Sequence, residues 1–548
     1  MLSLFLCAEF WYFYFYKASR FLSEKSINCH SRENGNLIKY LLLKEKYDIV
    51  IIGSGLGGLV SANILVRHGY SVCVLEKNNQ YGGNLQTFVR DKSIFDTGVH
   101  YIGSLADGQN LNQYFKYLGI MDSLKLKQLD EKYDIITFDN DSTEYTHTQG
   151  YQNFKENLIV QFPKEKETIE AYCKKMQEVC ETFPLYNLDG KTNGYDKENL
   201  HLKISDYLDS LTNNDTLKAV LAGSNFLYAG KENTPLYVHA LSVNSFIKSA
   251  WRCVDGGSQI SRQLIKKIKE FGGEVYKHQE VVKFNFDKDN EIESVITKVG
   301  KVVKGDLFIS NIEPKRTIEM LEGKGIRKAY ANRIDKVESM ISGFSIHIVF
   351  KPNTFKYINH NYYHFKDPKR VWKAQDYTES SWPEAYLVSM GVRKNQDKWA
   401  ENLTAMTYMR YGEVAEWEDT FNTVAQTSER GVAYEGFKNK KTEQFLVELE
   451  KKFPNIRDCI KSTYTASPLS YRDYIGSNEG AMYGYVKDAD NPMMSFLSPK
   501  TKSNKLFFTG QSVNMHGILG VTISGVLTCS HIIGKEKLLD AINNSLVE

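Results

Sequence analysis

Three glycines in G-x-G-x-x-G spacing, Gly53, Gly55 and Gly58, constrain this chain more than any other feature. Before them runs YDIVII at residues 47–52, a short apolar, β-branched segment with the composition of a strand buried on both faces. After them Leu59, Ala62, Ile64, Leu65 and Val66 feed one apolar helical face. A second strand is predicted over 71–75 and ends at Glu76, about 20 residues past the glycines, where an acid that binds ribose hydroxyls is expected. In such a unit Gly53 permits a tight turn, Gly55 lets backbone approach a pyrophosphate, and Gly58 lets helix and strand pack closely. The free N–H groups and dipole at the helix start favour phosphate charge. Strand, triad, helix, second strand and acid occur in order, which predicts a bound dinucleotide.

Gly82 and Gly83 follow the acid closely and have no role in a nicotinamide site. A glycine pair here resembles FAD-binding oxidoreductases, in which this loop crosses the flavin's phosphates, so the expected cofactor is FAD. Residues 95–103 read FDTGVHYIG; Phe95 and Val99 are apolar, while Asp96 and Gly98 predict a tight polar bend beside something bound. With the glycine pair before it, this segment resembles the family of retinol saturases, carotenoid isomerases and phytoene desaturases, closest to the saturase branch. The resemblance runs from about residue 47 to the C-terminus and is strongest at its two ends. SYRDYIG at 470–476 and Tyr483-Gly484 are similar to the saturase branch too. One departure is Asn84, where many relatives of the wider superfamily have Arg; this puts a direct side-chain charge on the pyrophosphate in doubt.

The resemblance implies a cofactor site built from two distant segments. The first brings Gly53, Ser54, Gly55, Gly57, Gly58, Glu76, Lys77, Gly82, Gly83 and Asn84, joined by Gly98, Val99 and His100 of the FDTGVHYIG loop. The second is LFFTGQSVNMHGILGVTISGVL at 506–527, with Gly510 near the phosphates and Gln511 after it. A helix is expected to start near Gly520, its Val521 and Thr522 N–H groups stabilising charge on the flavin's pyrimidine edge. Val281 is implied to hold the adenine ring through its backbone. His516 either packs on the ring or caps the turn. His100 and Tyr101 are the candidate proton donors, Asp473 is placed near the flavin, and His239 reads as a satisfied buried histidine.

The fold class that follows is α/β: a discontinuous Rossmann-type FAD-binding domain with an inserted antiparallel-sheet-plus-helix substrate domain. Residues 47–104, 251–318 and 466–548 are assigned to the first. Residues 105–250, read as helical, and 319–465, read as strand-rich, are assigned to the second. A helix is predicted over 164–183, where Ile169, Cys173, Met176, Cys180 and Phe183 line one face; strands are predicted over 274–284, 306–310, 344–350, 385–390 and 403–408. The sheet is expected as the floor of a substrate chamber and the helices of 105–250 as its roof. The resemblance implies saturation of one double bond of a retinoid- or carotenoid-like polyene, with desaturation or isomerisation as alternatives. A flavin-free isoprenoid-binding protein of the same fold is the reading from a different class.

Composition narrows the partners. A net charge of +3 over 548 residues gives no reason to expect nucleic acid. The 8 cysteines contain no C-x-x-C pair, which argues against zinc or a disulfide scaffold; no metal is expected. The partner expected is a lipophilic small molecule, with peripheral membrane contact, in the cytoplasm or on the cytoplasmic face of a membrane. Residues 1–46 are read as an extension, for which an interfacial anchor, a disordered leader and a start chosen too early compete, the last being favoured. Its apolar residues 1–16 are fewer than the ~20 that span a membrane.

Overall fold

Glycine-bounded apolar runs pair into a seven-stranded sheet whose strands come from widely separated parts of the chain. Their order is Glu274–Tyr276, Val72–Leu75, Lys46–Ile52, Val302–Ser310, Ile292–Thr297 and Val281–Phe286, with Leu506–Phe508 also pairing to Val302–Ser310. The pairs around Lys46–Ile52 are parallel and buried, and the Ile292–Thr297 pairs are antiparallel. The structure is a computed structural model that describes residues 43–189, 197–395, 398–424 and 426–545. Residues Met1–Lys46 and Tyr47–Glu548 are separate units. The reading of residues 1–42 lies outside the described residues.

Helices Leu56–Arg67 and Gly517–Ile533 lie together against this sheet. Contact is close enough that a Cβ on Gly525 would stand 2.8 Å from Val60 Cγ1. The predicted strand 274–284 is two strands, Glu274–Tyr276 and Val281–Phe286, interrupted by the turn that carries His278 at φ 57°.

A second seven-stranded sheet is ordered Ile460–Ala466, Ser342–Phe350, Asn402–Met409, Ala385–Ser389, Asn361–Phe365, Lys132–Phe138 and Asp141–Thr148. Strands from 342 to 466 pair antiparallel. Two features differ from expectation. The hairpin 132–148, in a part read as helical, supplies two strands, and Lys132–Phe138 pairs parallel to Asn361–Phe365, setting Asp134 opposite Asn361. Lys132–Phe138 is buried on both faces, and a short apolar run of that kind does not declare its period. Helices Tyr151–Gln161, Lys166–Glu181 and Leu236–Lys248 complete this half; the stripe Ile169, Cys173, Met176 and Cys180 is buried as core.

Several histidines in this core are neutral at pH 7. Burial holds His147 and His516 down to about 4, and His239 and His347 to about 3. Unfolding exposes them to water, where they bind protons below pH ~6.5. Stability therefore falls as pH drops from about 6.5 towards 4, by about 1.4 kcal/mol per histidine per pH unit. Asp96 and Asp134, which burial raises to about 7, act in the opposite direction over the same range. With His100, which burial also holds to about 4, five histidines against two carboxyls should leave the urea midpoint lower at pH 4.5 than at pH 7; an unchanged or higher midpoint would contradict these assignments.

Candidate functional site

The carboxyl ends of the parallel strands open onto one cavity of about 570 Å³, as the topology of such sheets dictates. Ile52, Leu75 and Thr509 mark those strand ends in its wall. One part is lined by glycine backbone and polar groups. The other is lined by Phe183, Leu185, Tyr186, Leu227, Tyr237, Leu241 and Phe246 from the helical half, with Met406 from the second sheet. The 95–103 loop lies at the wall of both.

The glycine part leaves no room for side chains. A Cβ on Gly57 would stand 2.9 Å from Gly510 N, and one on Gly58 would stand 2.3 Å from Gly53 O. Gly53 and Gly510 have φ of 92° and 102°, which side chains rarely tolerate. Gly55 and Gly82 form a parallel backbone bridge, so the triad and the Gly82-Gly83 loop touch directly. This is a cradle in which backbone can approach a dinucleotide's phosphates, and the residues present fit that group.

Glu76 is 5% exposed and organises the turn. Its Oε2 accepts from Ser54 N at 3.1 Å and Ser54 Oγ at 2.6 Å, and its Oε1 accepts from Asn78 N at 2.8 Å. Ser54 Oγ in turn accepts from Gly82 N at 3.2 Å. The acid expected to meet ribose thus also ties the triad to the glycine pair.

Of the residues expected to hold the cofactor, Gly53, Ser54, Gly55, Gly57, Glu76, Lys77, Gly82, Gly83 and Asn84 line the cavity. So do Gly98, Val99, His100, Val281, Gly510, Gln511, Gly520 and Val521. Gly58 and Thr522 do not: Gly58 packs against Gly53, and Thr522 is buried with Oγ1 donating to Ile518 O at 2.8 Å. The second helix runs Gly517–Ile533, three residues earlier than expected. Its free N–H groups are therefore those of Gly517, Ile518 and Leu519, because the N–H groups of Val521 and Thr522 fall past the first turn. Gly517 carries the chain into the helix at φ 73°, so Gly520 is not needed for the turn. His516 makes no side-chain cap; its ring lies 4.8 Å from that of Tyr483.

Asn311, the residue after the predicted strand 306–310, stands amid the cradle. A Cβ on Gly55 would lie 2.7 Å from Asn311 Nδ2, and one on Gly57 would lie 2.6 Å from Asn311 Oδ1. The space that Gly55 keeps free is thus shared with Asn311. Its signal in the sequence is its place just after a parallel strand. Arg316 was also missed; with Lys77 it brings positive charge to the Glu76 end of the cavity, whereas Asn84 hydrogen-bonds Gln511 at 3.4 Å. Lys77 is held below its ordinary value by burial first and by Arg316 second.

Tyr101 Oη donates to Asp134 Oδ2 at 3.0 Å and lies 2.5 Å from Tyr363 Oη. Asp134 Oδ1 accepts from Asn361 Nδ2 at 2.8 Å, and Asn361 Oδ1 accepts from Arg252 Nη2 at 2.8 Å. His100 differs: its Nε2 is buried without a partner, and burial followed by Arg252 holds the imidazole down to about 4. It carries no exchangeable excess proton at pH 7. Asp96 accepts from Gly257 N at 2.6 Å and pins the loop to the helix Ser258–Glu270.

Two other residues lie outside the cavity wall. Asp473 is fully buried between Arg430 and Arg472 and is a structural ion-pair knot. His239 bridges Tyr172 and Tyr228, each 2.7 Å from a ring nitrogen.

Comparison with known proteins places these residues in context. Residues 51–118 match the NAD(P)-binding Rossmann-like domain. The rat all-trans-retinol 13,14-reductase is 27% identical over 539 residues, covering 90% of this chain and 86% of its own length. The 4,4'-diaponeurosporene oxygenase of Staphylococcus aureus (strain bovine RF122 / ET3-1) is 23% identical, covering 89% of this chain and 98% of its own. Among solved structures, an oxidoreductase from Methanosarcina mazei superposes with a TM-score of 0.60 at 14% identity, over 88% of this chain and 100% of that one. These comparisons support an oxidoreductase of mixed α/β fold with a Rossmann-like domain.

Substitutions separate the two jobs of the cradle. Glu76→Ala leaves Ser54 N–H, Ser54 Oγ–H and Asn78 N–H without their acceptor. It should weaken dinucleotide retention and also destabilise the empty protein by about 1.5–3 kcal/mol. An unchanged melting temperature without cofactor would show that the carboxylate does not hold the turn. Gly57→Ala pushes the Gly510 backbone away and should abolish retention, read as cofactor recovered per chain after gel filtration.

Proposed function

We propose that the chain is an FAD-dependent oxidoreductase that saturates one conjugated double bond of a lipophilic, retinoid- or carotenoid-like polyene. The observation that carries this reading is the continuity of the cavity: a glycine cradle for a dinucleotide opens directly into a chamber walled by Phe183, Leu227, Leu241 and Phe246. A polyene needs length and apolar contact from its site more than charge. Bound FAD would supply the two-electron chemistry, delivering hydride from its reduced form to one carbon.

The chain's own residues do the rest. The backbone of Gly53–Gly57, Gly82-Gly83 and Gly510 would admit the phosphates, and Glu76 and Val281 would hold the adenosine. The N–H groups of Gly517, Ile518 and Leu519 offer partial positive charge at the other end of the helix approach. Apolar side chains of the helical half, with Met406, line the chamber. Tyr101 presents a hydroxyl held by two partners, and neutral His100 lines the wall beside it. The similarity to named retinol reductases over nine-tenths of the chain supports reduction over the other chemistries.

Purified protein should be yellow, and acid precipitation should release all the flavin. Chemically reduced protein, kept anaerobic with an all-trans polyenol, should reoxidise its flavin stoichiometrically and give a product two hydrogens heavier. A product of unchanged mass with altered geometry would establish isomerisation instead. A lighter product from oxidised protein would establish desaturation. A colourless protein that FAD cannot reconstitute would overturn the enzyme reading.

No helix among the described residues is long and apolar enough to cross a membrane. Because the substrate partitions into lipid, we propose peripheral membrane contact. High salt or mild detergent should release the protein from membranes; retention after both would overturn this.

A further inference from the structure

We propose that Asp134 stores the proton that Tyr101 delivers to the polyene, acting as a positioning residue one step behind the cavity wall. This rests on the reduction proposed above, which must place a proton on the second carbon of the double bond.

The geometry shows a buried path ending at the cavity. Tyr101 lines the cavity and is 7% exposed; Asp134 is fully buried behind it. Parallel pairing sets Asp134 beside Asn361, and two residues on, Tyr363 lies on the same face of that strand. The groups that face the Asp134 carboxyl are Tyr101 from the cavity loop, Asn361 and Tyr363 from the neighbouring strand, Arg252 through Asn361, and Tyr133 on its own strand. Arg252 makes no direct bond to Asp134; its Nη groups go to Tyr357 Oη, Ile358 O, His360 O and Asn361 Oδ1. A carboxyl so enclosed, with its countercharge one residue removed, keeps a proton more readily than an exposed one. Burial, the largest influence on it, raises Asp134 to about 7.

With the proton on Oδ2, the 3.0 Å contact runs from the carboxyl to Tyr101 Oη. With Tyr363 Oη–H also donating to Tyr101 Oη across 2.5 Å, the Tyr101 hydroxyl proton is left to point into the chamber. The step balances as follows: the Tyr101 Oη–H bond breaks as a C–H bond forms at the second carbon. The Asp134 Oδ2–H bond breaks as Tyr101 Oη is reprotonated. The negative charge ends on the Asp134 carboxylate, opposite Asn361 Nδ2 and near Arg252. The electron pair enters with the hydride that reduced flavin provides, and solvent returns the proton between turnovers. Neutral His100 is not needed as an acid in this scheme.

Infrared titration of the substrate-free protein tests the store itself. Wild type should show protonated-carboxyl absorption that disappears around pH 7, from Asp134 and from Asp96. Asp134→Asn should remove one component and Asp96→Asn the other; loss of no component in Asp134→Asn would overturn the proposal. Single-turnover flavin reoxidation by a polyenol tests the delivery. The wild-type rate should fall above about pH 7, whereas Asp134→Asn should be roughly a hundredfold slower at pH 6 and without that limb, with flavin content unchanged. Should Asp134→Asn not fold, Tyr101→Phe cuts the same path and should show the same loss. A wild type that reduces no polyene would overturn the functional reading and this inference with it. A wild type that does so while Asp134→Asn keeps its rate and pH limb would overturn the Asp134 role alone.

Discussion

Everything in this molecule depends on backbone meeting backbone where no Cβ can stand. Gly58 closes on Gly53 O within the glycine turn, and the approach of Gly57 to Gly510 N brings that turn and the segment before the helix Gly517–Ile533 into one cradle. Those segments are separated by most of the chain, so the rest must be accommodated as insertions that return to the same sheet. The interleaving of the two seven-stranded sheets follows from that closure. Glu76 secures it with charge-assisted bonds to Ser54, whose hydroxyl reaches Gly82. One carboxylate therefore holds the strand end, the glycine turn and the glycine pair in register.

The second organising constraint is the cost of burying charge. Asp473 meets it by ion pairing with Arg430 and Arg472, away from the cavity. Asp134 has no cation in direct contact and is raised instead. The two carboxyls are equally buried, so exposure does not distinguish them; the partner does. The same logic separates the histidines. His239 gains a tyrosine hydroxyl at each ring nitrogen, which makes it structural. His100 has no protein partner at Nε2 and lines the cavity instead.

The sequence made the first unit legible because its glycines, strand and acid are local and each has a steric reason. Sheet strands at 342–350, 385–389 and 402–409 were legible because β-branched and aromatic runs dominate them. The hairpin at 132–148 was not, although Asp139-Asn140 is a turn signal between its strands, because both faces of the first strand are buried. The start of the helix Gly517–Ile533 was placed late because four glycines lie between 510 and 525 and spacing alone does not choose among them. Asn311 and Asp134 were invisible for a different reason. Each is placed by a strand register or a contact across hundreds of residues, which local sequence does not encode.

That difference bears on how such a site divides its labour. Cofactor recognition by backbone needs glycine at fixed spacing, so it is written into short motifs. Proton supply needs only a donor at the wall and an acid kept neutral behind it, and many folds could assemble that pair. Here the parallel pairing of Lys132–Phe138 with Asn361–Phe365 sets Asp134 against Asn361 and brings Tyr363 to Tyr101, the arrangement that the proposed path uses. A register slip of one residue would turn Asp134 to the opposite face and leave Tyr101 without its acceptor. On the proton path proposed above, the direction of the chemistry would hang on a strand register rather than on the glycine motif. Proteins sharing the cradle can differ in reaction while their dinucleotide sites stay alike.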